Sequence, residues 1–313
     1  MNIFITLPLA QELRDMINNV ISPLDKIWHE QDLEEDQRYN TFLKAEVVLG
    51  NISPDWVEKS QNLRWLQLNS AGINQYLDVN RSSHLPEVKI TNLKKFFGVP
   101  VAETAIGGIL ALYRKLDELT KLQNKSTWEG PAVLRTQMNI LFAKNVLVLG
   151  AGDIGMAIKQ RLEAFSCHIT LVRRSSAPTL ENLKELFPAA DIVINTLPET
   201  AETISAINAK TISFMKNSAV FVNVGRGSVI DEDALVEALQ QSRIGGAVLD
   251  VTALEPIPRN SPLWTSPNIL LTQHTAGGYL GEARDKVKVF IDNLQKYRSG
   301  ESLRNIVDLG KGY

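Results

Sequence analysis

At 313 residues, 44% of them hydrophobic and 22% charged, the chain has the length and apolar content for two globular domains rather than one. A formal net charge of −2 gives no electrostatic reason to expect nucleic acid or an anionic membrane as partner, and a single cysteine, Cys167, excludes an internal disulfide framework and suits a reducing compartment. No uninterrupted apolar run reaches the ~18 residues of a membrane span, and Met1–Pro8 lacks the basic and apolar regions of a secretory leader, so cytoplasm is the expected location.

Ile3–Leu7 reads as a first strand, Leu9–Val20 as a helix and Ala45–Leu49 as a short buried strand. Ser53-Pro54-Asp55 opens a short helix through an N-cap and an early proline. Leu63–Leu68 is a further strand ending in Asn69-Ser70-Ala71-Gly72. Together these predict a small βα-type domain of roughly 95 residues. Val101–Leu122 is predicted as one long helix, bridging into a second domain, with Gly107-Gly108 tolerated where another backbone packs closely. Residues 123–143, with Trp128, Gly130 and Pro131, read as an irregular excursion.

From Asn145 the alternation strengthens. Asn145–Leu149, His168–Val172, Asp191–Thr196, Ala219–Val224, Ala247–Val251 and Ile269–Gln273 are short apolar runs separated by helix-like or loop segments. Strands apolar along their whole length are covered on both faces, which predicts a parallel, doubly wound α/β sheet of Rossmann type. Tyr279–Arg298 is then a long amphipathic helix and Leu303–Val307 a closing segment.

Gly150-Ala151-Gly152-Asp153-Ile154-Gly155 follows the first of these runs and leads into a helix, the context a dinucleotide turn requires. The first glycine permits the tight turn, the second lets the backbone approach a pyrophosphate, and the third lets the helix pack on the strand. Free N–H groups near Asp153 and Ile154 would face the phosphates. An NAD site usually carries an acid about 20 residues on, bonding the ribose 2′-hydroxyl. Val172-Arg173-Arg174-Ser175 offers no carboxylate there. Two guanidinium groups and a hydroxyl suit a 2′-phosphate, so NADP(H) is expected as the preferred cofactor, with NAD(H) possible. Two solvated surface arginines are the plain alternative.

Arg226, Glu255 and His274 each lie at or just beyond the end of an apolar run. Reduction of a 2-oxo acid by hydride needs a general acid for the carbonyl oxygen and a cation for the neighbouring carboxylate. An imidazole, titrating near neutrality, suits the acid role for His274. Glu255 would fix the ring and favour its charged form, and Arg226 would bond the carboxylate through its planar fork. Taken singly, each has a plain structural account: a packing histidine, a loop acid, a helix-capping arginine. Jointly, at ligand-facing strand ends, they read as a site. His29, His84 and His168 compete poorly, and neither a metal-ligand spacing nor a Gly-x-Ser-x-Gly elbow is present.

These residues resemble the D-isomer-specific 2-hydroxyacid dehydrogenase family. Leu63–Asn74 is similar to that family's substrate loop, which implies that Ser70, Ala71 and Gly72, with Arg226 and His274, bind substrate. Val101-Ala102-Glu103-Thr104 is similar to the start of its interdomain helix and implies that Thr104 approaches the nicotinamide. Asn195-Thr196-Leu197-Pro198 with Glu202-Thr203 resembles the segment on the adenine side, implicating Leu197, Pro198 and Thr203. Asn223–Glu232 is the most specific match; it carries the family's arginine and puts Val224 and Gly225 at the cofactor. Leu249-Asp250-Val251 carries the aspartate near the carboxamide.

The resemblance implies a discontinuous, flavodoxin-like substrate domain, 1–98 plus 282–313, with a dinucleotide-binding domain, 99–281, inserted in it. It also implies a homodimer, through the nucleotide domain and an arm like 123–143, where Trp128 has either a structural role or a reach into the partner's site. Two departures stand out: Gln273 replaces the proline common before the histidine, and Arg173 replaces the usual acid. The expected activity is reduction of a small 2-oxo acid, glyoxylate or hydroxypyruvate, to a D-2-hydroxy acid, with larger 2-oxo acids open. The competing readings are a non-enzymatic dinucleotide sensor on the same fold, which would not need Arg226, Glu255 and His274, and an amino-acid dehydrogenase, which would show a lysine at a strand end.

Overall fold

The apolar runs become two separate parallel sheets in the computed structural model, which describes residues 1–77, 79, 88–173 and 184–309. The chain divides into two units, Met1–Phe96 with Tyr279–Tyr313, and Phe97–Gly278.

In chain order the first unit runs β1 (Asn2–Ile5), α1 (Gln11–Asn18), β2 (Lys26–His29), α2 (Glu35–Phe42), β3 (Val47–Leu49), α3 (Pro54–Lys59), β4 (Trp65–Gln67) and β5 (Lys89–Thr91). Its sheet has the order β2-β1-β3-β4-β5, every pairing parallel, which is the flavodoxin-like order. Period-2 alternation sorts the strand side chains. Phe4, Val48, Leu66 and Ile90 go to one face with Phe42 and Tyr76, while Ile3, Ile5, Val47, Leu49 and Trp65 go to the other with Leu13 and Ile17. Two strands, β2 and β5, were not expected from the sequence, and they are the two edges. No β2 side chain is fully buried, and β5 is three residues long with Lys89 exposed, so neither shows a continuous apolar run.

In the second unit the helix expected over Val101–Leu122 is two helices, α4 (Gly98–Tyr113) and α5 (Leu116–Asn124). Lys115 between them is left-handed (φ 55°), which ends the helical ladder. The core ends there too: α4 buries Ala102, Ala105, Ile109 and Leu112, whereas α5 buries nothing. Of the glycine pair, only Gly108 faces packing. A β-carbon on it would lie 2.6 Å from Val248 Cγ1, a side chain rather than the expected backbone, while one on Gly107 would meet open space. The excursion beyond α5 contains a short helix, α6 (Pro131–Arg135).

There follow β6 (Asn145–Leu149), α7 (Asp153–Glu163), β7 (His168–Val172), β8 (Ile192–Asn195), α8 (Ala209–Ile212), β9 (Val220–Asn223), α9 (Glu232–Gln240), β10 (Gly246–Leu249) and β11 (Ile269–Leu271). The sheet order is β11-β10-β9-β8-β6-β7, all parallel. Val146, Val148, Ile192, Ile194, Val222 and Val248 pack with α4 and α7; Leu147, Leu149, Val193, Phe221 and Leu249 pack on the opposite face with α9. The continuous apolar runs thus split into two cores, one per face, as a doubly wound α/β sheet requires. The sheet divides beside β6, with β7 on one side and β8 on the other, and ligands of such sheets bind beyond the strand C-termini at this reversal.

The chain then returns to the first unit as α10 (Glu282–Ser299), where Phe290 and Tyr297 stack on the buried Trp65 at 5.3 and 5.4 Å between ring centroids. Asn293, fully buried, donates to Gln67 Oε1 (2.9 Å) and accepts the Arg304 N–H (2.8 Å).

Candidate active site and dinucleotide turn

The glycine turn meets the steric demands of a phosphate-binding loop. Gly150 is at φ 110°, and a β-carbon there would lie 2.3 Å from Thr196 Oγ1, the hydroxyl that donates to the Leu149 carbonyl at 3.0 Å. A β-carbon at Gly155 would lie 2.1 Å from the Gly150 carbonyl oxygen, so only glycine lets α7 approach β6 this closely. Gly152 is the N-cap of α7 and faces open space, no side chain caps the helix, and Asp153 and Ile154 form its first turn. The free N–H groups of that turn fit an anion such as a dinucleotide pyrophosphate. Arg173 directly follows β7 and is exposed; Arg174 and Ser175 lie outside the described residues, as does His84.

Two buried asparagines shape the next strand exits. Asn195 and Asn223 are register partners at the ends of β8 and β9. Asn195 Nδ2 donates to Asn223 Oδ1 at 2.8 Å, and its Oδ1 accepts the Leu197 N–H at 3.2 Å. Asn223 Oδ1 also accepts the Gly225 N–H (3.1 Å), and its Nδ2 donates to the Arg226 carbonyl (3.0 Å). Gly225 lies against the Leu197 backbone, where a β-carbon would be 2.7 Å from the carbonyl oxygen. Thr203 Oγ1 donates to the Pro198 carbonyl (2.7 Å), closing the loop after β8, and Val224 stays buried. The half-buried Arg226 guanidinium donates to the Gly225 carbonyl (2.8 Å) and pairs with no carboxylate among the described residues.

Glu255 and His274 meet directly: Nδ1 lies 2.7 Å from Glu255 Oε2, with the His274 and Glu255 side chains 57% and 36% exposed. Glu255 Oε1 accepts the Thr252 N–H at 3.0 Å. The pairing leaves Nε2 of the ring for other work. Asp250, nearly buried, ties down the strand that carries the imidazole. Its Oδ1 accepts from Thr272 Oγ1 (2.6 Å) and from the Thr275 and Ala276 N–H groups (both 3.0 Å), while its carbonyl accepts the His274 N–H (2.6 Å). Gln273 and His274 are both left-handed, at φ 53° and 55°, and the Thr275 N–H closes on the Thr272 carbonyl (3.1 Å), the signature of a type I′ turn. A proline, fixed near −65°, cannot occupy Gln273 in this turn. Thr104 Oγ1 on α4 donates to the Ala276 carbonyl at 3.4 Å.

Arg226, Glu255 and His274 therefore follow β9, β10 and β11, three neighbouring strands, at their C-terminal edge. In the first unit, Ser70, Ala71 and Gly72 form the turn after β4. There Ser70 Oγ donates to the Gly72 carbonyl (2.9 Å), Asn92 Nδ2 donates to the Ala71 carbonyl (2.8 Å) and Asn51 Nδ2 donates to Ser70 Oγ (3.2 Å). His168 opens β7 at the opposite end of its strand. His29, with a buried Nδ1 that finds no partner among the described residues, is pushed below the usual histidine range by burial and then by the Arg14 charge. Sequence reasoning missed the side chains of Asn51, Asn195 and Asn223, the threonine at 272, and Glu232, whose Oε1 accepts the Ala253 N–H at 2.6 Å. Asn195 and Asn223 had a readable signal: each is the polar last residue of an otherwise apolar strand.

Residues 106–276 match the family model described as D-isomer specific 2-hydroxyacid dehydrogenase, NAD binding domain. A glyoxylate/hydroxypyruvate reductase A of Citrobacter koseri is 32% identical over 226 residues, 69% of this chain and 70% of that protein. A D-isomer specific 2-hydroxyacid dehydrogenase family protein of Aeromonas salmonicida superposes with a TM-score of 0.84 at 26% identity, covering 98% of this chain and 99% of the other. An NADPH-dependent glyoxylate/hydroxypyruvate reductase of Sinorhizobium meliloti, solved with NADP and malonate, superposes with a TM-score of 0.77 at 26% identity, covering 98% and 97%. On the family model, which spans more than half of its length, the chain belongs to the D-isomer specific 2-hydroxyacid dehydrogenase family.

Proposed function

We propose that this enzyme reduces a small 2-oxo acid of the glyoxylate or hydroxypyruvate type to the D-2-hydroxy acid, with NADPH preferred over NADH. The observation that carries the reading is the 2.7 Å pair between His274 Nδ1 and Glu255 at the strand edge that also holds Arg226. The N-terminal turn of α7, with Gly150, Gly152 and Gly155, would hold the pyrophosphate, and Thr104, Leu197, Pro198, Thr203, Val224, Gly225 and Asp250 would line the rest of the cofactor. When bound, the nicotinamide supplies a hydride to the substrate carbon. The chain's own residues do the remainder. Nε2 of His274 delivers a proton to the carbonyl oxygen as charge develops there, and Glu255 holds the ring by its other nitrogen. Arg226 bonds the carboxylate and polarises the adjacent carbonyl. Ser70, Ala71 and Gly72 are assigned to the substrate carboxylate through their backbone amides.

Arg173 at the end of β7, where an NAD site carries an acid, supports a 2′-phosphate, and the S. meliloti relative is NADPH-dependent. A homodimer is part of the reading, supported by the exposed apolar side chains of Leu116, Leu119, Trp128, Val133, Ile140 and Phe142, as is work in the cytoplasm. The testing experiment follows NADPH and NADH oxidation with glyoxylate, hydroxypyruvate, pyruvate, phenylpyruvate and 2-ketoisovalerate. NADPH-dependent turnover of glyoxylate or hydroxypyruvate supports the assignment. Equal or better use of NADH removes the 2′-phosphate reading, and turnover confined to the bulkier acids removes the substrate class.

A further inference from the structure

Glu232 is the first residue of α9 and reaches the loop that carries Glu255. Its Oε1 accepts the Ala253 N–H at 2.6 Å. Gly227 lies close against the same loop: a β-carbon there would lie 1.9 Å from the Thr252 carbonyl carbon and 2.4 Å from the Ala253 nitrogen. The loop then turns back, so that the Thr252 N–H donates to one Glu255 oxygen (3.0 Å) while the other meets His274 Nδ1 (2.7 Å). A continuous path thus runs from Glu232 through two adjacent backbone amides to Glu255 and the imidazole.

Glu232 is an unfavourable residue for stability alone. It is half-buried, it pairs with no lysine or arginine among the described residues, and the charged groups facing it are Asp233 on its own helix and Glu255 on the loop. Burial first, then these two carboxylates, push its carboxyl above the usual range, offset in part by the Ala253 N–H. A carboxyl raised in the fold costs stability above its folded value, and the cost disappears at acid pH.

We propose that Glu232 is a positioning residue for the Glu255–His274 pair: its carboxylate anchors the 252–255 loop and so fixes Glu255 against His274 Nδ1. The inference rests on the reading of His274 as proton donor and goes beyond it. Two variants test the anchoring bond. Glu232→Gln keeps an oxygen for the Ala253 N–H, whereas Glu232→Ala loses it. Each is measured in the full protein by kcat and KM in NADPH-dependent reduction, by the NMR signal of the imidazole Nδ1–H without ligand, and by thermal melting. The chain has four histidines, so His274→Ala assigns the resonance.

In Glu232→Ala the signal of the His274 Nδ1–H bonded to Glu255 should be lost, and in Glu232→Gln it should hold. The melting temperature of Glu232→Gln at neutral pH should hold or rise. Glu232→Ala should lose about tenfold in kcat with little change in cofactor KM, and Glu232→Gln should restore most of that loss. An unaltered His274 Nδ1–H signal in Glu232→Ala, or two variants that differ from wild type only by melting lower, would overturn the proposal. A lost signal beside an unaltered kcat would instead overturn His274 as proton donor and leave the anchor standing.

Discussion

At the scale of single residues, the imidazole and the turn that presents it can be tested separately. His274→Ala should lower turnover by roughly 10²–10⁴, the usual contribution of a positioned general acid, and should leave NADPH affinity near that of the wild type. Single-turnover kinetics with a cofactor titration checks both, and near-normal kcat would remove the acid role. Gln273 is a sharper case because the family resemblance favours proline there. The left-handed backbone at Gln273 is closed to that ring, so Gln273→Pro should cost about 2–3 kcal/mol and displace the His274–Glu255 pair. Denaturant melts and kcat measure the two effects; a Gln273→Pro protein as stable and active as wild type would show that the turn has another accessible form.

At the scale of elements, adjacent positions on α4 should respond with opposite sign. Gly107→Ala gains helix propensity of up to ~1 kcal/mol because its β-carbon meets nothing, whereas Gly108→Ala drives a β-carbon into Val248 and should lose about 1–3 kcal/mol despite the same propensity gain. Paired thermal melts decide it, and equal shifts would mean that Val248 gives way. Asp191 joins the start of β8 to the rest of the sheet. Burial by itself would raise its carboxyl. The bonds from Lys216 Nζ (2.7 Å) and the Asn145 N–H (2.9 Å), with the Lys216 and Lys144 charges, outweigh burial and hold it below the usual range. A depressed carboxyl adds stability above its unfolded value and loses it as pH falls through the folded one. Asp191→Asn should therefore cost about 1 kcal/mol at neutral pH, with the gap to wild type closing below the usual carboxylate range. Urea melts at neutral and acid pH would show a constant gap if the carboxylate charge were irrelevant.

At the scale of the whole molecule, the apolar side chains along 116–142 bear on assembly. Ile140 and Phe142 are 56% and 61% exposed, and Trp128 95%. If this segment forms the dimer, Phe142→Asp should convert a dimer into a monomer in sedimentation velocity without lowering the melting temperature of the monomer itself, since the side chain contributes little to its own core. A wild-type chain that sediments as a monomer at high concentration would remove the homodimer from the reading.

What the sequence by itself determined was whatever rests on long apolar runs and special backbone positions. The interior strands β6, β8, β9 and β10 are continuous apolar runs because both faces are covered, and the glycine turn is legible because Gly150 and Gly155 are the positions where a β-carbon would collide. Arg226, Glu255 and His274 could be singled out because each interrupts the pattern just past a strand end. The strands β2 and β5 could not, since β2 buries no side chain fully and β5 is three residues long with Lys89 exposed, so neither shows an apolar run. Nor could the break at Lys115, because the apolar spacing continues through Leu116 and Leu119 while the core does not. The contacts that arrange the site belong to tertiary structure alone. Asn195 meets Asn223, and Glu232 meets Ala253, across gaps in sequence that only the parallel register of the sheet closes. Hydrogen bonds of this kind depend on distances of a few tenths of an ångström, which packing decides and composition does not record.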